Sequence, residues 1–236
     1  LVDTGFRHVR RQMLDVLSDS TIAAICCTHN HEDHTGNCAP LVDRHRCPAY
    51  LRNCELRWGE GVRRLKPYRS WFWGPPGELE VQEMPEVVEG AERRLRAIPA
   101  PGHSATHVAL WEEASGTVFT GDLFISPGAS AVMTQENPYE LAASLRRVAA
   151  VQPELMLTGH GQVLAKPAVA LWTKAERIEA AASRAVELHR SGMADRDAVR
   201  EIFATGHGRD RMIEVLTQGE FSRANFVRAA VLHAPV

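Results

Sequence analysis

The stretch CTHNHEDHTGN, residues 27–37, places three histidines, an aspartate and a glutamate within six consecutive positions. Side chains of this kind compete or repel one another when they are crowded, unless they bind a common partner. The stretch overlaps the end of TIAAICCT, residues 21–28, a short and mostly apolar run that is typical of a strand buried on both faces. Because a rigid sheet fixes the loops that follow its strands, this loop is predicted to bind metal.

Three later segments also place a metal-ligating side chain directly after a predicted strand. They are His103 after 94–100, Asp122 after 117–121 and His160 after 154–158. With His29, His31, Asp33 and His34 they make five imidazoles and two carboxylates. A single metal needs three or four ligands, so this set suffices for two ions that share a carboxylate. Nitrogen and oxygen ligands without thiolate suit zinc, and also iron or manganese.

The segments THNHEDH, PGH, TGD and TGH, in this order, resemble the metal-binding motifs of the metallo-β-lactamase fold hydrolase superfamily. LVDTG at residues 1–5 matches the family's first acidic turn, and the resemblance extends to about residue 165. It implies an α/β fold, a four-layer αβ/βα sandwich with the metals at one edge of its two sheets. In the family a block of strands precedes the VDTG turn, so we expect an N-terminally truncated fold that lacks these strands.

The same resemblance implies a ligand set for two divalent metal ions, with Zn2+ expected and iron or manganese as alternatives. The first ion is expected on His29, His31 and His103, and the second on Asp33, His34 and His160, with Asp122 bridging both. Asp3 matches the family's acidic residue close to the metals and is expected to orient a ligand. The resemblance further implies attack on the substrate by a hydroxide held between the metals, with Asp33 and Asp122 as the expected catalytic carboxylates that steer it and pass its proton.

The activity that the resemblance implies is hydrolysis of a small-molecule thioester, lactone or other ester, as in hydroxyacylglutathione hydrolases and lactonases. Asp122 argues against the lactam-cleaving members, and His31 argues against the flavin-linked di-iron oxygen reductases, which carry Glu at this position. The RNA-processing members usually add an RNA-gripping arm and a basic surface, which are not evident here. Two alternatives stay open: a mononuclear iron oxygenase that acts on persulfides, and an incomplete, non-catalytic fragment.

The composition is that of an ordinary globular protein, with 44% hydrophobic and 24% charged residues among 236. A net charge of −2 gives no reason to expect nucleic acid or an anionic membrane as a partner. No apolar run reaches the roughly 18 residues of a membrane span. The five cysteines have no paired spacing, which favours a reduced, cytoplasmic protein over a disulfide scaffold.

The hydrophobic pattern changes at Pro167, after which it is helical only. We therefore predict a metal-binding catalytic domain over residues 1–166 and a helical extension over 167–236. The extension either packs on the domain, forms a homodimer, or caps the cleft. Within the catalytic domain, residues 6–18 are predicted to form an amphipathic helix and 58–90 a long surface excursion. Asn137–Glu140 carries a cap, a proline and a carboxylate, which predict the start of a helix.

For some residues near the motifs, the sequence allows two roles. Glu32 is expected to face solvent, with a catalytic role as the alternative. His107 either lies against a metal ligand or packs in the core. The aromatic and basic side chains between 58 and 73 either contact substrate at the rim of the metal cleft or cover a small core of their own loop.

Overall fold

The computed structural model describes residues 1–54, 66–75, 81–90, 92–129, 131–203 and 207–235. The chain divides into two compact units. The first contains Leu1–Pro99, Ala105–Asp122 and Glu154–Ala165, and the second contains Ala100–Ser104, Leu123–Pro153 and Lys166–Val236. None of the helices in the described residues combines the length and the apolar character that crossing a membrane requires.

The smaller sheet of the first unit has three short parallel strands in the order β1, β2, β3. These strands are Ile25–Cys26, Ala49–Leu51 and Gln82–Glu83. Ile25 and Leu51 are fully buried, as expected of short apolar strands in a parallel sheet. An isolated parallel bridge joins Val2 to Cys26, and the Asp3 N–H donates to the Cys26 carbonyl at 3.0 Å. The LVDTG segment therefore lies beside the end of β1, where the histidine loop begins.

The larger sheet of the first unit has six strands in sequence order, β4 to β9. They are Val87–Glu89, Arg94–Pro99, Val108–Glu112, Thr117–Phe119, Leu155–Leu157 and Val163–Ala165. Neighbouring strands are antiparallel except β7 and β8, which pair in parallel with Val118 opposite Met156. Because the carboxyl ends of parallel neighbours meet at the same edge of a sheet, the residues that follow β7 and β8 lie side by side.

The described helices of the first unit are short. They comprise a 3-10 turn at Arg7–Val9, with α1 (Arg10–Val16), α2 (Glu32–Thr35), α3 (Cys38–His45) and α4 (Pro67–Phe72). A further 3-10 turn, Gly121–Leu123, has its first two residues in this unit. The first turn and α1 confirm the helix predicted over 6–18. The surface excursion predicted over 58–90 contains regular structure where it is described, namely α4, β3 and β4. Residues 58–65 and 76–80 lie outside the described residues.

The regular structure described in the second unit is helical. Its helices are α5 (Pro138–Ala150), α6 (Ala168–Arg190), α7 (Asp195–Ile202), α8 (His207–Leu216) and α9 (Arg223–Leu232). The predicted helix start is confirmed: Pro138 opens α5, and the Asn137 side chain accepts the N–H groups of Tyr139 and Glu140. Leu171 and Ile178 of α6 are buried, in agreement with the helical pattern predicted after Pro167.

Within the second unit, α5 and α6 lie against each other. Arg146 on α5 pairs with Glu179 on α6, and the Tyr139 hydroxyl donates to the Ala230 carbonyl on α9 at 3.1 Å. The last segment of this unit begins at Lys166, but the unit also contains Ala100–Ser104 and α5. The division into domains at residue 166 stays a prediction, as does the absence of N-terminal strands.

Candidate metal centre

Asp3 ties the histidine loop to the end of β1. Its Oδ1 accepts a hydrogen bond from the Thr28 N–H at 2.7 Å, and its Oδ2 accepts one from Thr28 Oγ1 at 2.9 Å. Asp3 Oδ2 also lies 2.8 Å from His34 Nδ1. This contact occupies Nδ1, so Nε2 is the nitrogen of His34 that faces Asp33 and Asp122. The role of Asp3 in orienting a metal ligand stays a prediction.

The histidine loop closes into the single turn of α2. His31 is the N-cap of this turn, and its carbonyl accepts the N–H groups of His34 and Thr35 at 3.1 Å. The Thr4 N–H and Thr4 Oγ1 both donate to the His34 carbonyl, at 2.6 and 3.0 Å. The backbone of the loop is thus fixed by hydrogen bonds at both ends of α2, and the imidazoles it carries have fixed positions.

Four of the predicted ligands come together inside the first unit. Asp33, His34, Asp122 and His160 each offer a ligand atom, and these atoms lie within 4.8 Å of one another. His34 Nε2 and His160 Nε2 each lie 3.2 Å from Asp122 Oδ1. The same two nitrogens lie 3.8 and 3.9 Å from Asp33 Oδ2. Two carboxylates and two imidazoles therefore face one small volume.

His29 and His31 form a second group with Asp122. Their ligand atoms and that of Asp122 lie within 4.8 Å of one another. His29 Nε2 is 2.9 Å from His31 Nδ1, and the centroids of the His29 and His34 rings are 4.2 Å apart. Asp122 belongs to both groups. A carboxylate that bridges two ions has to belong to both of their ligand sets.

The glycine that precedes His160 leaves room for this arrangement. The Gly159 N–H donates to the Gly121 carbonyl at 2.9 Å, which joins the ends of β7 and β8. A Cβ on Gly159 would lie 2.6 Å from His34 Cε1 and 2.8 Å from Asp122 Oδ1. Both distances are shorter than real contacts of a Cβ atom, so a residue with a side chain at this position would displace the ligands. The TGH motif therefore needs its glycine for a steric reason.

His107 is fully buried beneath these groups. Its Nε2 accepts a hydrogen bond from the Asp122 N–H at 3.2 Å, and its ring centroid lies 5.0 Å from that of His29. Of the two interpretations open for His107, the structure favours contact with a predicted ligand, because the imidazole holds the backbone of Asp122 in place.

Burial and neighbouring charges shift the pKa values of the groups in this centre. Burial lowers the pKa of His29 well below its usual value. Burial also opposes the charged form of His34, but Asp3 and Asp122 raise the pKa of His34 well above its usual value. The hydrogen bond with Asp122 raises the pKa of His160. Against its own burial, Asp122 has a pKa well below the usual value, because His160 and His34 stabilise its carboxylate.

The donor set fits divalent transition metals. Imidazole nitrogens and carboxylate oxygens without thiolate are ligands of zinc, iron and manganese. His34 Nε2 is buried and makes no hydrogen bond of normal geometry within the described residues, although Asp122 Oδ1 is 3.2 Å away. Metal ligation would account for the burial of this polar atom, which is otherwise costly.

His103 belongs to the second unit, where it follows Gly102 in a short loop. Its side chain is buried, and its Nδ1 lies 3.3 Å from Oε2 of Glu136, which is also buried. Glu136 could not be predicted from the sequence, since a lone glutamate before a helix cap has neither periodicity nor a motif. The roles predicted for His103 and for the other ligands stay predictions.

The prediction that Glu32 faces solvent is wrong. Glu32 is only 1% exposed, and its two carboxylate oxygens accept hydrogen bonds from Arg69 Nε at 2.8 Å and Nη2 at 2.5 Å. Arg69 is itself buried and lies 5.0 Å from the centroid of the Trp73 ring. The histidine loop is therefore joined to α4, which belongs to the aromatic and basic segment. In that segment Tyr68 is buried and Trp71 is largely exposed.

Residues 1–160 match the sequence profile of the metallo-beta-lactamase superfamily, and the chain belongs to this family. The crystal structure of a beta-lactamase domain protein from Burkholderia ambifaria superposes with a TM-score of 0.69, covering 99% of this chain and 76% of that chain. At 20% identity this likeness concerns the fold alone. The predicted fold class, the metallo-β-lactamase fold with C-terminal helices, is confirmed.

Two relatives bear more directly on the site. A hydroxyacylglutathione hydrolase of Halorhodospira halophila is 30% identical over 148 residues, which are 59% of this chain and 47% of the relative. TTHA1623, crystallised in a di-iron-bound form, is 29% identical with a TM-score of 0.58, covering 72% of this chain and 85% of that chain. The chain spans about half the length of the curated relatives it matches.

Proposed function

We propose that this protein is a dinuclear metallohydrolase that cleaves a small-molecule thioester, lactone or other ester. The observation that carries the proposal is the pair of ligand groups that share Asp122. One group without the other suits a single ion, whereas two groups with a common carboxylate suit a pair of ions. The hydroxyacylglutathione hydrolase relative supports a thioester as the first substrate class to examine.

The ligand assignment follows the motifs. In this proposal the first ion is held by His29, His31 and His103, the second by Asp33, His34 and His160, and Asp122 bridges them. Zinc is the metal expected from the donor set, and the di-iron form of TTHA1623 supports iron as an alternative. Cytoplasmic location and a homodimer through the C-terminal helices stay predictions.

Two divalent ions held by these residues would lower the pKa of bound water toward neutrality and would polarise a substrate carbonyl. The protein contributes the fixed positions of the ligands. Asp3 keeps His34 Nε2 directed at the centre, and His107 keeps the Asp122 backbone in place. Asp33 and Asp122 are the carboxylates that orient the nucleophile and accept or pass its proton.

The test of this function is a substrate and metal panel. Metal-free protein is reconstituted with zinc, manganese or iron, and turnover is measured on thioesters, lactones and phosphodiesters. We expect the highest activity on a thioester or lactone with two ions per chain. One iron per chain with oxygen uptake on a persulfide would contradict the hydrolase proposal, and activity confined to phosphodiesters would contradict the substrate class.

Replacing Asp3 by asparagine is expected to weaken binding of the second ion about 10–100-fold, because the amide holds the His34 imidazole less firmly than the carboxylate does. Competition with a chromophoric chelator measures the change. Asp19→Asn is the control, since Asp19 is exposed in the segment after α1. Equal affinities in the two variants would show that Asp3 does not orient a metal ligand.

A further inference from the structure

The loop that carries His103 is held by the beginning of α5. The Asn137 N–H donates to the Gly102 carbonyl at 2.8 Å, and Ser144 Oγ donates to the Pro101 carbonyl at 2.7 Å. A Cβ on Gly102 would lie 2.3 Å from the Leu141 nitrogen, so the loop and the helix are in direct backbone contact. The position of His103 within the second unit is therefore set by α5.

Glu136 lies at the beginning of α5, beside the loop that carries His103. It immediately precedes Asn137, the N-cap of α5, and its side chain is buried. Its Oε1 accepts a hydrogen bond from the Met133 N–H at 2.8 Å, which orients the carboxylate. Its Oε2 then lies 3.3 Å from His103 Nδ1. A carboxylate fixed by the backbone on one oxygen thus presents the other oxygen to the imidazole.

We propose that Glu136 is the positioning residue for His103, and that it accepts the Nδ1–H of the imidazole and leaves Nε2 to bind the first metal ion. The inference rests on the proposed function, which assigns His103 to that ion. A histidine ligand has to be neutral, with its proton on the nitrogen that faces away from the metal. A buried carboxylate at Nδ1 selects this tautomer and increases the basicity of Nε2. In the first unit, a carboxylate oxygen of Asp3 contacts Nδ1 of His34 in the same way.

The tautomer is measurable without any metal. In metal-free protein, long-range 1H–15N spectra of the His103 ring are expected to show the proton on Nδ1. Glu136→Met keeps the size of the side chain and removes the acceptor, so the proton is expected to move toward Nε2. Glu136→Gln retains an acceptor oxygen and is expected to keep the wild-type tautomer. A proton on Nε2 in the wild type would overturn the proposal, whether or not either variant folds.

Metal binding gives the second readout. Glu136→Met is expected to bind the first ion about 10–100-fold more weakly and to bind the second with unchanged affinity, and Glu136→Gln is expected to recover most of the loss. Glu140→Met is the matched control, because Glu140 lies four positions further on and is exposed. Isothermal titration calorimetry, with zinc titrated into each metal-free protein, measures the affinity for each of the two ions.

The outcomes distinguish this inference from the proposed function. A wild type that binds two ions, with Glu136→Met equal to Glu140→Met at both sites, contradicts the role of Glu136 and leaves the proposed function intact. A wild type that binds no second ion contradicts the proposed function, and the role of Glu136 is then decided by the tautomer of His103 in metal-free protein. Loss of both ions from a folded Glu136→Met would show a general structural role and would also overturn the positioning of His103 alone.

Discussion

Asp122→Ala is expected to abolish turnover on whichever ester the protein cleaves, with a loss of at least about a thousandfold. Asp122 is common to both ligand groups, so its removal weakens two ions together. It also leaves His34 and His160 without the carboxylate that lies 3.2 Å from each of their Nε2 atoms. A pair of metals supplies several kcal/mol of transition-state stabilisation, and about 1.4 kcal/mol corresponds to tenfold in rate.

The control for this variant is Asp15→Ala, because Asp15 lies exposed on α1 and its contact with Arg11 is a weak surface pair. Turnover is measured at saturating substrate together with the metal content of each protein. His31→Ala is expected to behave as Asp122→Ala does. If Asp122→Ala keeps wild-type turnover while it remains folded, the assignment of the catalytic centre fails.

Arg69→Ala is expected to lower the free energy of unfolding by about 3–5 kcal/mol in metal-free protein, which is among the largest effects of a single substitution. The side chains of Arg69 and Glu32 are 5% and 2% exposed and are joined by two hydrogen bonds. Removal of the arginine leaves a carboxylate buried without its cation. For a chain of this size the midpoint of thermal unfolding is expected to fall by roughly 6–20 °C.

Arg94→Ala is the matched control for Arg69→Ala. Arg94 Nε lies 2.9 Å from Glu89 Oε1, but both side chains are more than half exposed. An exposed pair of this kind contributes less than about 1 kcal/mol. The double variant Glu32→Leu/Arg69→Met removes both charges and is expected to recover most of the lost stability. If Arg69→Ala and Arg94→Ala shift the unfolding midpoint equally, the buried pair does not stabilise the histidine loop.

The residues of the centre that could be predicted from sequence are those that lie in contiguous motifs. The motifs HNHEDH, PGH, TGD and TGH specify both the predicted ligands and the residues next to them. One of these adjacent residues, the glycine before His160, is a steric requirement of the site. The start of α5 was equally readable, because a cap and a following proline act within a few residues of each other.

The parts that could not be predicted depend on partners distant in the chain. Glu32 can be buried because Arg69, 37 positions later, donates hydrogen bonds to its carboxylate. No local sequence pattern predicts this pair. Glu136 meets His103 across 33 positions through the fold of the second unit. The two-residue strand β3 is too short for a period-2 pattern, so the sequence predicts no separate strand within the surface excursion over 58–90.

In the function proposed above, the side chains of two groups that share Asp122 hold a pair of divalent ions. The most direct measurement is the number of ions bound per chain, determined by elemental analysis of protein that has been stripped of metal, reconstituted with zinc and freed of excess. We predict two ions per chain in the wild type. A wild type that retains one ion or none under these conditions would contradict the account.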